Sequence, residues 1–260
     1  MRYIGIDLAW GTRNTTAAVA LTGSRNGVSY HAHDDVLTDN EAIADFVQTY
    51  GGGGGLLIAV DAPTLVPNAV GQRPCEALLS HALRKQEAGA HPANRTLLAD
   101  ASGVVRGEAL VALLEARFGV THTPYLEGDA PRAVFEVFPH PAHIALFGLD
   151  KTLKYKRKPG RDRAFRNAEF ARYAALLSAL SLAVPALTLP DDWLVDAESF
   201  ITEVALKRYE DRLDALTCAY VAAYHHRWQG DKSVVIGDRV NGHIVTPASE
   251  TLREWLAANV

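Results

Sequence analysis

Two apolar segments of this chain end in an aspartate. Residues 3–10 read YIGIDLAW and residues 56–63 read LLIAVDAP, and both runs are typical of strands that are buried on two faces. An ionised carboxylate that is buried without a partner is strongly destabilising, so Asp7 and Asp61 each need water, a charge partner or a bound cation. Open α/β sheets place their sites at the carboxyl ends of the strands. The pattern therefore favours an α/β fold with both aspartates at a site.

The segments around these two strands predict a mixed sheet flanked by helices. Residues 15–21 and 28–34 are two further strands, and the Asn-Gly pair between them is a strong hairpin signal. Residues 40–50 follow as a helix, and residues 133–138 predict another buried strand. Three sequential strands, a helix and two buried strands give an α/β domain.

The stretch 64–130 differs from the segments on either side of it. It predicts helices near 74–88 and 106–118, separated by polar segments rich in turn residues. We interpret it as a helical insertion or cap within a single domain of residues 1–260. The C-terminal part predicts a helix over 165–182, a helical region over roughly 196–227, a hairpin over 233–247 and a short last helix.

The charge of the chain is unevenly distributed. The net charge is −4, but residues 151–166 hold eight basic residues and one acid, a local +7 that leaves −11 on the rest of the chain. A basic segment on an otherwise acidic protein can bind a phosphate backbone without making the whole surface bind nucleic acid nonspecifically. We therefore predict Lys154, Lys156 and Arg157 as substrate-binding residues. A solvated loop and helix face is the alternative that charge alone leaves open.

No apolar run approaches the roughly 18 residues of a membrane span, so no membrane partner is expected. The first residues do not resemble a signal peptide, which makes the cytoplasm the expected compartment. The two cysteines, Cys75 and Cys218, indicate neither a disulfide framework nor a zinc site.

A second acidic pair lies near the other end of the chain, in YEDRLDALTCAY. Asp211 and Asp214 are three residues apart, so on a helix they share a face, and the apolar run after them indicates a helix packed on the body. We predict that this pair meets Asp7 and Asp61. Four carboxylates converging on one point suit Mg²⁺ or Mn²⁺, and two such ions about 4 Å apart can activate a water and stabilise the leaving oxygen of a phosphodiester.

A fifth acid, Glu136, lies within the apolar strand FEVFP and is a candidate ligand or general base. Each acid also has a structural interpretation. Asp7 can cap a turn, Asp61 can form an Asx-turn before Ala-Pro, and the late pair can be a solvated helix start. Glu136 can pair with a lysine of the basic stretch.

The order of these motifs resembles that of the RNase H-like fold, and the late Asp-x-x-Asp is most similar to its Holliday-junction-resolvase branch. The full chain resembles the domain of unknown function 429 family, described as predicted nucleases. The motifs that carry this resemblance are GIDLAW (5–10), AVDAP (59–63), EVFPHPA (136–142), the KYK around Lys154, RLDALTCAYVA (212–222) and GHIVTP (242–247).

The resemblance implies a five-stranded mixed sheet flanked by helices, divalent-metal chemistry and a nuclease-like function. Asp7 and Asp61 would be the strand carboxylates, and Asp214, with Asp211, the ligands on the late helix. The acid of the fourth strand is Asp61, where many resolvase-like enzymes have Glu, so its reach is one methylene shorter. The insertion at 64–130 could close over the site.

These observations predict a metal-dependent nuclease that hydrolyses phosphodiester bonds of nucleic acid, with Mg²⁺ or Mn²⁺ as cofactor. One alternative is a non-catalytic domain that binds nucleic acid or a protein partner through 151–166, where Tyr155 and Phe165 could stack on bases. A small phosphate-ester hydrolase is another, and an ATP-dependent phosphotransferase is a third because sugar kinases share this fold. The sequence leaves open DNA or RNA as substrate, and a monomer or a homodimer.

Overall fold

The computed structural model describes residues 1–11 and 14–259. The strands are β1 (Arg2–Asp7), β2 (Thr16–Gly23), β3 (Gly27–Leu37), β4 (Leu56–Asp61), β5 (Thr121–His122), β6 (Arg132–Glu136), β7 (Ala186–Thr188), β8 (Ser233–Asp238) and β9 (Gly242–Pro247). The helices are α1 (Asn40–Tyr50), α2 (Pro74–Ala82), α3 (Arg95–Leu98), α4 (Arg106–Phe118), α5 (Pro139–Phe147), α6 (Arg163–Ala179), α7 (Glu203–Trp228) and α8 (Glu250–Asn259).

The main sheet is mixed, and its strand order is β5-β6-β4-β1-β2-β3-β7. Strand β2 runs antiparallel to both β1 and β3, whereas β1, β4, β6 and β5 run parallel to one another. The predicted α/β class is therefore confirmed. The predicted number of five strands is wrong, because β5 and β7 extend the two edges to seven within the described part of the chain. These edge strands have two and three residues, too few to show a periodic pattern.

Helices cover both faces of the sheet. Helix α7 packs on one face in a core with Tyr3 and Phe135, and α1 and α4 pack on the other face in a core with Ile4 and Val134. Both faces of β1 and β4 are thus buried, as their continuous apolar sequences predict. The alternation of side chains along each strand then decides which helix layer a strand residue meets.

Several predicted elements match the structure closely. The helix over 40–50 is confirmed, and the Asp39 side chain caps it by accepting a hydrogen bond from the Ala42 N–H at 2.8 Å. The late helix is a single element of 26 residues that begins after the cap Thr202. The C-terminal hairpin is confirmed as β8 and β9, which pair antiparallel.

The stretch 64–130 contains α2, α3 and α4, as its helical prediction requires, and also the short strand β5. Helix α2 packs through Cys75 and Leu79 against the β8–β9 hairpin and α8. Helix α4 instead joins the layer beneath the main sheet, where Leu110 and Leu114 are buried. Both cysteines are buried and free. Among the described helices, none is long and apolar enough to cross a membrane.

Candidate active site

Asp7 and Asp61 are the last residues of two neighbouring parallel strands and are register partners. Alternation along β1 and β4 places both side chains on the face where Tyr3 and Leu57 meet α7. The two carboxylates therefore lie side by side at the carboxyl edge of the sheet, as the sequence predicted.

Helix α7 brings the second acidic pair to the same edge. A Cβ at Gly5 would lie 2.0 Å from the Ala215 carbonyl oxygen and 2.1 Å from the Ala219 nitrogen, so the helix backbone lies directly on β1 there. Asp211 is one turn before Ala215, a rise of about 6 Å, and Asp7 is two strand residues after Gly5, about 6.6 Å along β1. The close contact at Gly5 thus sets Asp211 beside Asp7.

Burial and mutual repulsion disturb these carboxyl groups. Burial, reinforced by the charge of Asp211, raises the pKa of Asp7 well above its usual value. Burial raises the pKa of Asp61 to about 7, even though the nearby Lys156 opposes the shift, and the charge of Asp214 adds to it. Burial also raises the pKa of Asp211. Four acids that feel one another's charge in this way form one electrostatic unit.

Two lysines supply positive charge to this cluster. The Lys156 Nζ lies 2.8 Å from Asp214 Oδ2. Although burial disfavours its charged form, the charges of Asp214, Asp7 and Asp61 raise the pKa of Lys156 well above its usual value. Lys207 contacts Asp211 and lies 2.7 Å from Glu210 Oε1.

Asp214 is the most firmly held member of the cluster, and it is fully buried. The Tyr155 hydroxyl donates to its Oδ1 at 2.6 Å, and the Tyr173 hydroxyl reaches the same oxygen at 3.3 Å. Burial would raise the pKa of Asp214, but Lys156 and the nearby His143 outweigh it and lower that pKa. Its Oδ2 is held by the Lys156 ammonium at 2.8 Å.

The donor set fits a hard divalent cation in its chemistry. Carboxylate oxygens are the ligands that Mg²⁺ and Mn²⁺ prefer, and the four aspartates whose charges act on one another supply them here. The side chains do not form a complete coordination site. Within residues 1–11 and 14–259, no group of three acids, histidines or cysteines has a metal-binding arrangement. The lysines Lys156 and Lys207 contact the oxygens that a cation would need.

Glu136 faces away from these four aspartates, although its charge also raises the pKa of Asp61. Glu136 is on β6 and is the register partner of Val60 on β4. Because neighbouring residues of a strand alternate between faces, its side chain points to the opposite face of the sheet from Asp61. The Arg73 guanidinium donates to both of its oxygens, at 2.8 and 2.6 Å, and the Thr64 N–H donates to it at 3.0 Å. Its partner is thus an arginine of the stretch 64–130 and not a lysine of the basic stretch. A ligand or general-base role for Glu136 stays a prediction, and the geometry gives it a structural one.

The three predicted substrate-binding residues do not form one patch. Lys154 lies 2.6 Å from Glu87 Oε2, Lys156 lies in the carboxylate cluster, and Arg157 is exposed. Tyr155 is fully buried against Asp214, so its interpretation as a stacking residue is wrong. The basic neighbours of Tyr155 in KYKRK suggested stacking on bases, whereas its hydroxyl donates a hydrogen bond to Asp214.

Sequence reasoning missed several residues of the site. Lys207 precedes Glu210 and Asp211 by three and four residues, which is a readable helix pairing. Gly5, inside an apolar strand, signals a close backbone approach. No sequence signal identifies Tyr173, which reaches Asp214 from 41 residues away.

A mostly apolar cavity of about 830 Å³ lies elsewhere, beside β8, and its lining includes Leu78, Leu126 and Ile236. Asp238 is the one acid among the described residues that line it. Its size alone gives no reason to place the chemistry there.

Comparison with known proteins gives one match. The profile of a family described as "Protein of unknown function (DUF429)" matches residues 5–240. No curated protein and no solved structure matches the chain.

Proposed function

Because this chain belongs to the DUF429 family, whose description names no reaction, we propose its function from the carboxylate cluster. It is a divalent-metal-dependent nuclease that hydrolyses phosphodiester bonds of nucleic acid. The observation that carries this proposal is the meeting of Asp7 and Asp61, on adjacent strand ends, with Asp211 and Asp214 of α7.

The strand order supports an RNase H-like fold. The five central strands follow the order β3-β2-β1-β4-β6, with β2 antiparallel to its neighbours and β1, β4 and β6 parallel. The first strand and the strand parallel to it each supply an acid, and a late helix packed on the first strand supplies two more. The edge strands β5 and β7 are then additions to this arrangement.

Asp7, Asp61, Asp211 and Asp214 would hold Mg²⁺ or Mn²⁺. A divalent ion bound there supplies an activated water and stabilises charge on the leaving oxygen. Tyr155 keeps Asp214 in place through its 2.6 Å hydrogen bond. Lys156 offsets the negative charge of the cluster, and its ammonium would bind a phosphate oxygen of the substrate.

The exposed residues Arg157 and Lys158 follow Lys156 directly and contact the phosphate backbone of the substrate. They are the part of the basic stretch that faces solvent beside the cluster.

Cleavage of a labelled panel of branched, single-stranded and duplex DNA and of RNA, with and without Mn²⁺, tests the proposal. We expect Mn²⁺-dependent cleavage by the wild type, a loss of at least about 100-fold in Asp7→Asn, and an unchanged or raised melting temperature in that variant. Asp192→Asn, which changes an exposed aspartate, is the matched control and should cleave normally. A wild type that cleaves nothing on this panel, or an Asp7→Asn protein as active as the wild type, would refute the proposal.

The same panel separates the nuclease from a non-catalytic nucleic-acid-binding domain, which the exposed Arg157, Lys158 and Phe165 also favour. Binding by fluorescence anisotropy without cleavage at millimolar Mn²⁺ would select that second function.

A further inference from the structure

Trp10 is the exposed tryptophan of this chain and stands three residues after Asp7. Its exposed fraction is 48%, whereas Trp193 is 5% exposed and the other two tryptophans are partly covered. About half of the indole surface is therefore in solvent and available to a ligand.

Three cavities share Trp10 as a lining residue, and the smallest, of about 10 Å³, is mostly apolar. A second, of about 50 Å³, is also lined by Asp61 and Glu136. The third and largest, of about 470 Å³, is also lined by Asn40 and by residues of α4. The indole thus stands between the carboxylate cluster and a space of the size that small ligands occupy.

The backbone on both sides of Trp10 is held in place. The Arg106 guanidinium donates to the Ala9 carbonyl at 2.7 Å and to the Gly11 carbonyl at 3.1 Å. The Thr16 hydroxyl accepts from the Ala9 N–H at 3.1 Å. Because this backbone is already ordered, a ligand that binds the exposed ring has a lower entropic cost of binding.

The chemistry of the larger cavity favours an uncharged planar group. Asp39 and Asp100 line it, which disfavours a phosphate, and the Arg106 guanidinium that also lines it is engaged with backbone carbonyls and Asn40. Every nucleobase has a flat face that stacks on an indole, and stacking needs no particular base.

We propose that Trp10 is a stacking platform for an unpaired nucleobase of the substrate, next to the phosphate at the carboxylate cluster. The identity of the ligand rests on the proposed function. Lys156 contacts Asp214 of the cluster, and Trp10 lines one cavity together with Asp61. Only an unpaired base offers its face, so the substrate is single-stranded or has an unpaired segment.

Quenching of intrinsic fluorescence in chelator, where no cleavage occurs, tests this inference directly. A single-stranded oligonucleotide should quench the wild type and the control Trp255→Phe, which changes a remote tryptophan of α8, and should leave Trp10→Phe unquenched. Anisotropy should show affinity reduced roughly 5- to 150-fold in Trp10→Ala and largely kept in Trp10→Phe, where a ring remains. A blunt duplex should compete poorly.

Equal quenching of Trp10→Phe and the wild type, or wild-type affinity in Trp10→Ala, would overturn the stacking role and leave the proposed nuclease untouched. If no oligonucleotide binds the wild type by anisotropy, the nucleic-acid substrate fails together with the platform. Unchanged melting curves for both Trp10 variants exclude misfolding as the cause of any loss.

Discussion

Asp61 illustrates how the site is tuned at the residue scale. Its ordinary pKa of 3.8 rises to about 7, chiefly through burial, while Lys156 partly counteracts that rise. Asp7 and Asp211 shift in the same direction, whereas Asp214 shifts the other way. The pKa values of three of the four carboxyls are therefore raised, and a bound cation would lower them by stabilising the ionised form.

The raised pKa of Asp61 predicts that this carboxyl contributes less to the stability of the metal-free protein as the pH rises. The unfolded carboxyl releases its proton near pH 4, but the folded one keeps it until about pH 7, so the folded state binds more protons in between. The stabilisation is present below the unfolded pKa and is lost as the pH passes through the folded pKa. The Tm difference between Asp61→Asn and the wild type in chelator should therefore be larger at about pH 8 than at about pH 5.

Asp61→Asn provides the control for this pH dependence. In chelator at about pH 8 it should raise Tm by roughly 3–10 °C, and this gain should become smaller towards about pH 5. A variant with the same pH profile as the wild type would show that Asp61 is not the titrating group.

Tyr155 provides a test of how Asp214 is positioned. Tyr155→Phe removes the hydroxyl that donates to Asp214 Oδ1, so Mn²⁺ affinity should fall roughly 10-fold by calorimetry. Tyr220→Phe is the matched control, because its buried hydroxyl donates to the Pro185 carbonyl at 2.8 Å and should leave Mn²⁺ affinity unchanged. Equal affinity in the two variants would mean that Tyr155 only packs.

At the scale of elements, the contact between α7 and β1 assembles the site. The helix lies on Gly5 so closely that no side chain fits between them. This contact brings residues near position 7 together with residues near position 211, which no local pattern can specify. The sequence nevertheless predicted the four aspartates as a group, because each stands at a strand end or on one helix face.

Gly5→Ala should separate the two elements. The added methyl would lie about 2 Å from backbone atoms of α7, so overpacking should cost about 3 kcal/mol and lower Tm by roughly 6–12 °C. Gly53→Ala, where a Cβ would meet nothing within 4 Å, is the control and should change Tm little. A Gly5→Ala protein as stable as the wild type would contradict the close contact.

The sequence also predicted the boundaries of α1, whose cap and apolar spacing are local signals. It did not predict the pairing of Glu136 with Arg73, because the two residues are 63 positions apart and neither segment identifies its partner. The short strands β5 and β7 were missed for a similar reason: their pairing depends on neighbouring strands and not on their own residues.

At the scale of the whole molecule, most basic residues of the stretch 151–166 form ion pairs with acids of the same chain. Lys151 and Lys154 pair with Glu87, while Arg163 and Arg166 pair with Glu203. Together with Lys156, these residues use most of the basic stretch to hold the chain together. The net basic charge of a segment therefore overstates what remains for a nucleic acid, because sequence does not reveal the distant acids.

Calorimetric titration of Mn²⁺ at about pH 8 tests most directly whether the four aspartates form one cation site. The wild type should bind Mn²⁺ saturably, Asp61→Asn should bind at least about 10-fold more weakly, and Asp192→Asn, which changes an exposed aspartate, should keep the wild-type affinity. Absence of saturable binding to the wild type at millimolar Mn²⁺, or equal binding to Asp61→Asn, would contradict the metal site.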